Sequence, residues 1–298
     1  MILNFRSLKV GHKKRKTGAL KYEIGKFKCI LPPVHKLPIY QGIYPTYDNY
    51  YGNWLRIIEK KLKKEINMLD IGANVGDTAL YVLSFINAHI TAVEPSSYFY
   101  NYLEQNLELN NLTSSVKPHK LALVLDSSDE GESLLYSDGS TASTTINRQA
   151  KHTNTEKVSS ILFENFLTRE NKVFDLVKID IDSNDFEYIL RIISNPFTEK
   201  AIICFEFDPL SLNNKELEDA WLAFRRIEEL RYTAIIVDNH GRTMMSTHLI
   251  QDTLQYFAHW IYIQSNSKNQ QVHYFDIWLF PPIALSVYSE ISKVILAK

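Results

Sequence analysis

From Glu65 onward the chain alternates short apolar runs with amphipathic stretches, the pattern of an α/β domain in which strands and helices take turns. Strands are predicted at Asn67–Ile71, His89–Glu94, Ser115–Leu123, Phe174–Ile181, Ala201–Phe207 and Thr233–Asp238. Each is a run of β-branched or other apolar residues bounded by turn or helix signals. After Ser183, Phe186, Ile189, Leu190 and Ile193 recur at i, i+3, i+4 and i+7, and Leu217, Trp221, Phe224 and Ile227 form a similar stripe, so both helices bury one face. The polar run Lys151–Lys157 reads as a loop. Beyond Asp238 the pattern predicts a hairpin, a helix near His248–Ile261, a polar loop at Ser265–Gln271 and a last strand at Val272–Phe280, stopped by Pro281-Pro282. Parallel strands need right-handed crossovers and hold ligands outside their carboxyl ends, so a site is expected where these strands stop.

The first part of the chain lacks this rhythm. Leu31-Pro32-Pro33, Leu37-Pro38 and the tyrosines at 40, 44, 47, 50 and 51 predict a packed cap over residues 1–60. Leu31, Val34, Leu37 and Ile39 are too apolar to stay solvated and too few to form a core alone, so the cap must bury against the domain that follows. That domain is expected over 61–282, with a helical tail over 283–298.

Composition narrows the function classes. The 298 residues are 45% hydrophobic, enough for a sizeable core, and 33 basic against 34 acidic residues leave a net charge of -1. With no field to hold a polyanion, nucleic acid is not an expected partner. Lys13-Lys14-Arg15-Lys16 is read as a solvated run, with peripheral contact to an anionic membrane as its other use. Cys29 and Cys204 stand far apart without a CxxC or Cys/His cluster, which fits a reducing cytoplasm and neither a disulfide framework nor structural zinc. No apolar run reaches the roughly 18 residues of a membrane span, and no signal peptide is visible.

The chemistry concentrates in Met68-Leu69-Asp70-Ile71-Gly72-Ala73-Asn74-Val75-Gly76-Asp77-Thr78, an apolar strand running through a glycine turn into a helix. Gly72 and Gly76 let the backbone approach a ligand, and the free N–H groups opening the helix can receive the carboxylate of an amino-acid moiety while Asp70 faces its ammonium. Glu94, at the end of the next strand, can accept both hydroxyls of a ribose. The turn lacks the G-x-G-x-x-G of dinucleotide binders and the Gly-Lys-Ser/Thr of ATP-binding loops, which leaves S-adenosylmethionine as the expected cofactor.

These residues resemble the FkbM-type methyltransferases. Asp70–Gly76 is similar to that family's glycine turn. Ala92-Val93-Glu94-Pro95, with Leu103, Asn106 and Asn110 downstream, is similar to its second motif, and Asp175-Leu176-Val177-Lys178-Ile179-Asp180-Ile181-Asp182 to its fourth-strand signature. Phe205-Glu206-Phe207-Asp208-Pro209, Val237-Asp238-Asn239-His240-Gly241 and Tyr274-Phe275-Asp276-Ile277 look like later segments of one branch, as do Leu37-Pro38 and Tyr47-Asp48. The resemblance implies a class I, Rossmann-like α/β fold: a mostly parallel seven-stranded sheet, helices on both faces and the cap. It also implies methylation of a hydroxyl on a sugar, glycan or related biosynthetic intermediate. Asp70, Gly72, Asn74, Gly76, Asp77, Thr78, Glu94, Pro95 and Ser96 are the expected cofactor residues. Ser183 stands where family members usually carry glycine, and a cofactor-binding protein without turnover is the alternative it raises.

An alcohol is a poor nucleophile at neutral pH, so a carboxylate within reach of its proton is expected to assist. Asp180 and Asp182 share a face of a regular strand and are the catalytic candidates, with a direct role favoured over a magnesium ion held between them. Tyr47, Asp48, Glu206, Asp238 and Asn239 are the expected acceptor contacts. Asp180-Ile181-Asp182 also fits the D-x-D of metal-dependent glycosyltransferases, the alternative enzyme reading.

Overall fold

The structure, a computed structural model, describes residues 18–137, 142–143, 154–181, 185–267 and 270–297. The cap opens with an antiparallel hairpin, β1 (Leu20–Ile24) and β2 (Phe27–Leu31), followed by α1 (Leu37–Ile43) and α2 (Gly52–Leu62). The core then runs β3 (Ile66–Ile71), α3 (Asp77–Phe85), β4 (Ala88–Val93), α4 (Ser97–Leu109) and β5 (Val116–His119). Next come β6 (Ala122–Val124), β7 (Gly131–Ser137), β8 (Ala142–Ser143), β9 (Asn154–Leu162) and α5 (Phe163–Glu170). The chain closes with β10 (Leu176–Ile179), α6 (Asp185–Ile192), β11 (Ile202–Phe207), α7 (Asn214–Glu229), β12 (Thr233–Asp238), β13 (Thr243–Thr247), α8 (Ile250–Ser265), β14 (Phe275–Phe280) and α9 (Leu285–Leu296).

The main sheet has eight strands in the order β13-β12-β14-β11-β10-β3-β4-β5. Pairings from β5 through β4, β3 and β10 to β11 are parallel, and β14 runs antiparallel to both β11 and β12. The expected seven strands are therefore joined by an eighth, β13, which folds back on β12 through a turn where Gly241 sits at φ +79. Alternation splits the core in two. Leu69, Ile71, Val177 and Ile203 pack with Phe166, Ile189 and Phe224 of α5, α6 and α7 on one face; Met68, Leu176, Ile202 and Trp278 pack with Leu55, Leu80 and Ile291 of α2, α3 and α9 on the other. Among the described residues no helix is long and apolar enough to cross a membrane.

Two elements differ from the sequence pattern. Ser115–Leu123 is not one strand: the chain leaves the main sheet after His119, and β6 joins a second sheet, β6-β9-β7-β8. Lys151–Lys157 is not a loop throughout, because Asn154–Lys157 begins β9, whose polar residues pair with β7 on an exposed ribbon that needs no apolar alternation.

The cap is stitched to the core through backbone. The buried Asn106 side chain accepts the Ile30 N–H at 2.7 Å and donates to the carbonyls of Ile30 (3.1 Å) and Val75 (2.9 Å), acting as a strand neighbour for the free edge of β2. Asn110, one helical turn on, does the same for Lys28 at 3.0 and 2.7 Å. Tyr81 of α3 donates to the Asn49 carbonyl at 2.6 Å and accepts the Gly52 N–H at 3.2 Å.

Candidate active site

On the face turned to α2 and α3, the sheet changes from apolar to polar as its parallel strands approach their carboxyl ends. Register aligns Asp70, Lys178, Cys204 and Trp278 in one row across β3, β10, β11 and β14, and sets Glu206 opposite Asp276 one step beyond. Period two then brings Leu176, Lys178 and Asp180 of the β10 segment to the same side. Because β14 is reversed, its first residues lie beside the ends of the others. A cavity of about 690 Å³ opens over these groups, walled on its far side by Tyr47, Asp48, Tyr50 and Tyr51 of the cap.

The glycine turn forms the cavity's other wall. Gly72 has φ +83, and a Cβ there would lie 1.9 Å from the Asp180 carbonyl oxygen, so only glycine lets the turn abut the end of β10. Glu94 braces this turn, its Oε2 accepting the Asn74 N–H and its Oε1 the Ser96 N–H, each at 2.8 Å. Burial pushes the Glu94 carboxyl up to about 7 against the lowering effect of those two N–H groups.

Of the expected cofactor residues, Gly72, Asn74, Asp77, Thr78, Glu94 and Pro95 line the cavity. Gly76 instead starts α3, packed on Leu103, and Ser96 caps α4, its Oγ accepting the Phe99 N–H at 3.5 Å. Asp70 is fully buried behind the wall, with neither oxygen hydrogen-bonded and the Lys178 ammonium 4.0 Å away. Of the expected acceptor and catalytic residues, Tyr47, Asp48, Asp180, Glu206 and Asn239 reach the cavity. Asp238 does not, which corrects its expected substrate contact: its Oδ1 accepts the N–H groups of His240 and Arg242 at 3.0 Å each, and its Oδ2 takes the Arg242 guanidinium at 2.8 and 2.7 Å. It braces the turn into β13. Asp182 and Ser183 lie outside the described residues.

The sequence reading missed Lys178, Asp276 and Tyr50. Lys178 sits in the cavity wall with its ammonium 2.9 Å from Asp180 Oδ2. Burial alone would lower it, but the carboxylates of Asp180 and Asp70 outweigh burial and hold it well above its usual range. A lysine inside an apolar parallel strand was the available signal, since such a strand is covered on both faces. Asp276 accepts the Tyr50 hydroxyl at 3.0 Å, and Tyr50 accepts the Trp278 indole N–H at 2.9 Å. Among the described residues, no group of three or more His, Cys, Asp or Glu side chains is placed to hold a metal ion.

A sheet ordered β5-β4-β3-β10-β11-β14-β12 with β14 reversed, a glycine turn after its central strand and a carboxylate ending the neighbouring strand define a class I S-adenosylmethionine-dependent methyltransferase. More particularly, the Methyltransferase FkbM domain matches residues 70–205 of the chain. Methyl transfer thereby displaces the glycosyltransferase reading of Asp180-Ile181-Asp182. Similar solved structures include an O-methyltransferase from Bacillus cereus in complex with SAH, 13% identical over 82% of this chain and 88% of that one, TM-score 0.44. The O-methyltransferase TomG from Streptomyces achromogenes, in complex with SAM, is 11% identical over 77% and 79% of the two chains, TM-score 0.43. No curated protein matches the sequence.

Proposed function

We propose that the cavity binds S-adenosylmethionine against the Gly72–Thr78 turn and passes its methyl to a hydroxyl of a sugar, glycan or related biosynthetic intermediate held under the cap. The observation that carries this reading is one cavity joining two sets of groups: Asn74, Asp77, Thr78 and Glu94 on one side, and Tyr47, Asp48, Glu206 and Asn239 on the other. The cofactor fits the first set. Asn74 Oδ1 is buried without a partner, and each Glu94 oxygen, having accepted one N–H, keeps a lone pair for a ribose hydroxyl. Bound there, the cofactor supplies an electrophilic methyl. The second set suits a hydroxylated acceptor, since tyrosine rings cover the carbon faces of a sugar while carboxylate and amide groups take its hydroxyls. Asp180, engaged by Lys178, serves as a positioning residue in this scheme.

The test is transfer of labelled methyl from S-adenosylmethionine over a panel of nucleotide sugars and lipid-linked glycans, with and without exhaustive EDTA. Cofactor binding with transfer to a hydroxylated member supports the reading, and activity surviving chelation leaves Asp180 and Asp182 without a magnesium role. Binding of the cofactor with no transfer to any member refutes the acceptor assignment and favours the protein without turnover.

A further inference from the structure

Resting on that reading, we propose that Asp276, at the start of β14, is the catalytic residue that takes the proton from the acceptor hydroxyl as it is methylated. Three observations place it there. Asp276 lines the cavity opposite the glycine turn, between cap and sheet. Its Oδ2 is fixed by the relay from the Trp278 indole N–H through the Tyr50 hydroxyl, at 2.9 and 3.0 Å. No other hydrogen bond to Asp276 is formed among the described residues, so Oδ1 is left to accept one from a bound hydroxyl. The relay crosses from β14 to the cap, so the orientation of Asp276 depends on the cap's packing against the sheet.

Four of the neighbouring carboxylates are placed differently, and Glu206, opposite Asp276, is the one that substitution must separate from it. Asp180 holds the Lys178 ammonium, Asp238 is saturated by its own turn, and Asp70 is behind the wall. Asp48, in a left-handed conformation at φ 53, is pushed well above the carboxylate range by burial and by the neighbouring Asp276. The groups facing Asp276 are Tyr50 and Asp48 from the cap, Lys178 from β10 and Asp180 just past its end, Glu206 and Cys204 from β11, Asp238 from β12 and Tyr274 beside it. Burial pushes Asp276 up to about 7, Tyr50 and Lys178 opposing and Asp180 adding to the rise. A carboxylate so poised is well matched to proton transfer at neutral pH.

In the step, the oxygen–methyl bond forms as the sulfur–methyl bond breaks, with the electron pair of the latter remaining on sulfur. The hydroxyl proton moves to Asp276 Oδ1 and leaves to water after product release. Charge balances, because the sulfonium and the carboxylate are both neutral at the end.

The experiment compares the full chain with Asp276→Asn, Tyr50→Phe and Glu206→Gln. It uses calorimetric binding of S-adenosylmethionine, labelled-methyl transfer to methyl glycosides across pH, and 13C titration of aspartate carboxyls. Asp276→Asn should bind cofactor as wild type does and lose roughly 100-fold or more in turnover. Tyr50→Phe removes a bond that favours the ionised carboxylate, so the acid limb of the rate profile should move to higher pH. Wild-type turnover in Asp276→Asn, or the loss appearing only in Glu206→Gln, would overturn the assignment. If no methyl glycoside is methylated, the carboxyl titration decides. A signal titrating near neutrality, absent in Asp276→Asn and raised in Tyr50→Phe, supports the base, and its absence removes it. Failure of wild type to bind cofactor is a separate outcome that strikes the proposed function instead.

Discussion

Replacing Glu94 with alanine tests the cofactor half of the site. The side chain is 4% exposed and its carboxylate accepts two backbone N–H groups at 2.8 Å, so its oxygens are held where a ribose would meet them. Removing it takes away acceptors for the ribose hydroxyls, and hydrogen bonds to a charged group are worth about 1.5–3 kcal/mol. The expected loss of S-adenosylmethionine affinity is therefore roughly 10- to 150-fold. The wild type should show a second signature. With the carboxyl pushed up to about 7, the ionised form that accepts ribose hydroxyls is depleted as pH falls below that value, so affinity should weaken toward pH 6 and 5. Glu94→Ala should lack this component of the pH dependence. Calorimetric titration at pH 6, 7 and 8, with circular dichroism to confirm folding, reads both. A folded variant that binds like wild type, or that binds NADH as well, would refute the assignment of Glu94 to the ribose.

Asn106→Ala strands the Ile30 N–H and the Ile30 and Val75 carbonyls, costing about 2–4 kcal/mol and roughly 5–10 °C in Tm; a loss no larger than that of the more exposed Asn110→Ala would contradict the stitching role. Asp70, Glu94 and Asp276 rise from 3.8, 4.5 and 3.8 to about 6, 7 and 7, so between these limits the folded state holds protons that the unfolded chain has released. Their contribution to stability falls as pH rises through that window; the ligand-free protein should melt higher near pH 5 than near pH 8, and flat Tm values across that range would count against it. Tyr47→Ala, which opens the cap wall, should raise the apparent acceptor constant more than the cofactor constant; an unchanged acceptor constant would separate the cap from acceptor binding.

Periodicity and the glycine turn were enough to place most core strands of the main sheet, because each strand's burial is written locally in two-residue alternation or a continuous apolar run. The cap's apolar residues, lacking a core of their own, follow that logic only in part: Leu31 and Leu37 are buried, whereas Val34 and Ile39, expected to bury with them, stay exposed. Glu94 could be paired with the turn from sequence because both belong to one βαβ unit, where short connections fix the geometry. Other features required the tertiary structure. Asp238 reads as one more acidic strand end, yet three-dimensional neighbours consume its lone pairs, while Asp276 reads as a polar break in a last strand. Only the reversal of β14 beside β11 sets Asp276 opposite Glu206 and under Tyr50 of the cap. Such pairings join residues far apart in the chain. Their register is decided by sheet order and by packing across the whole domain, and local sequence records the chemistry of each residue without recording which partner will exhaust it.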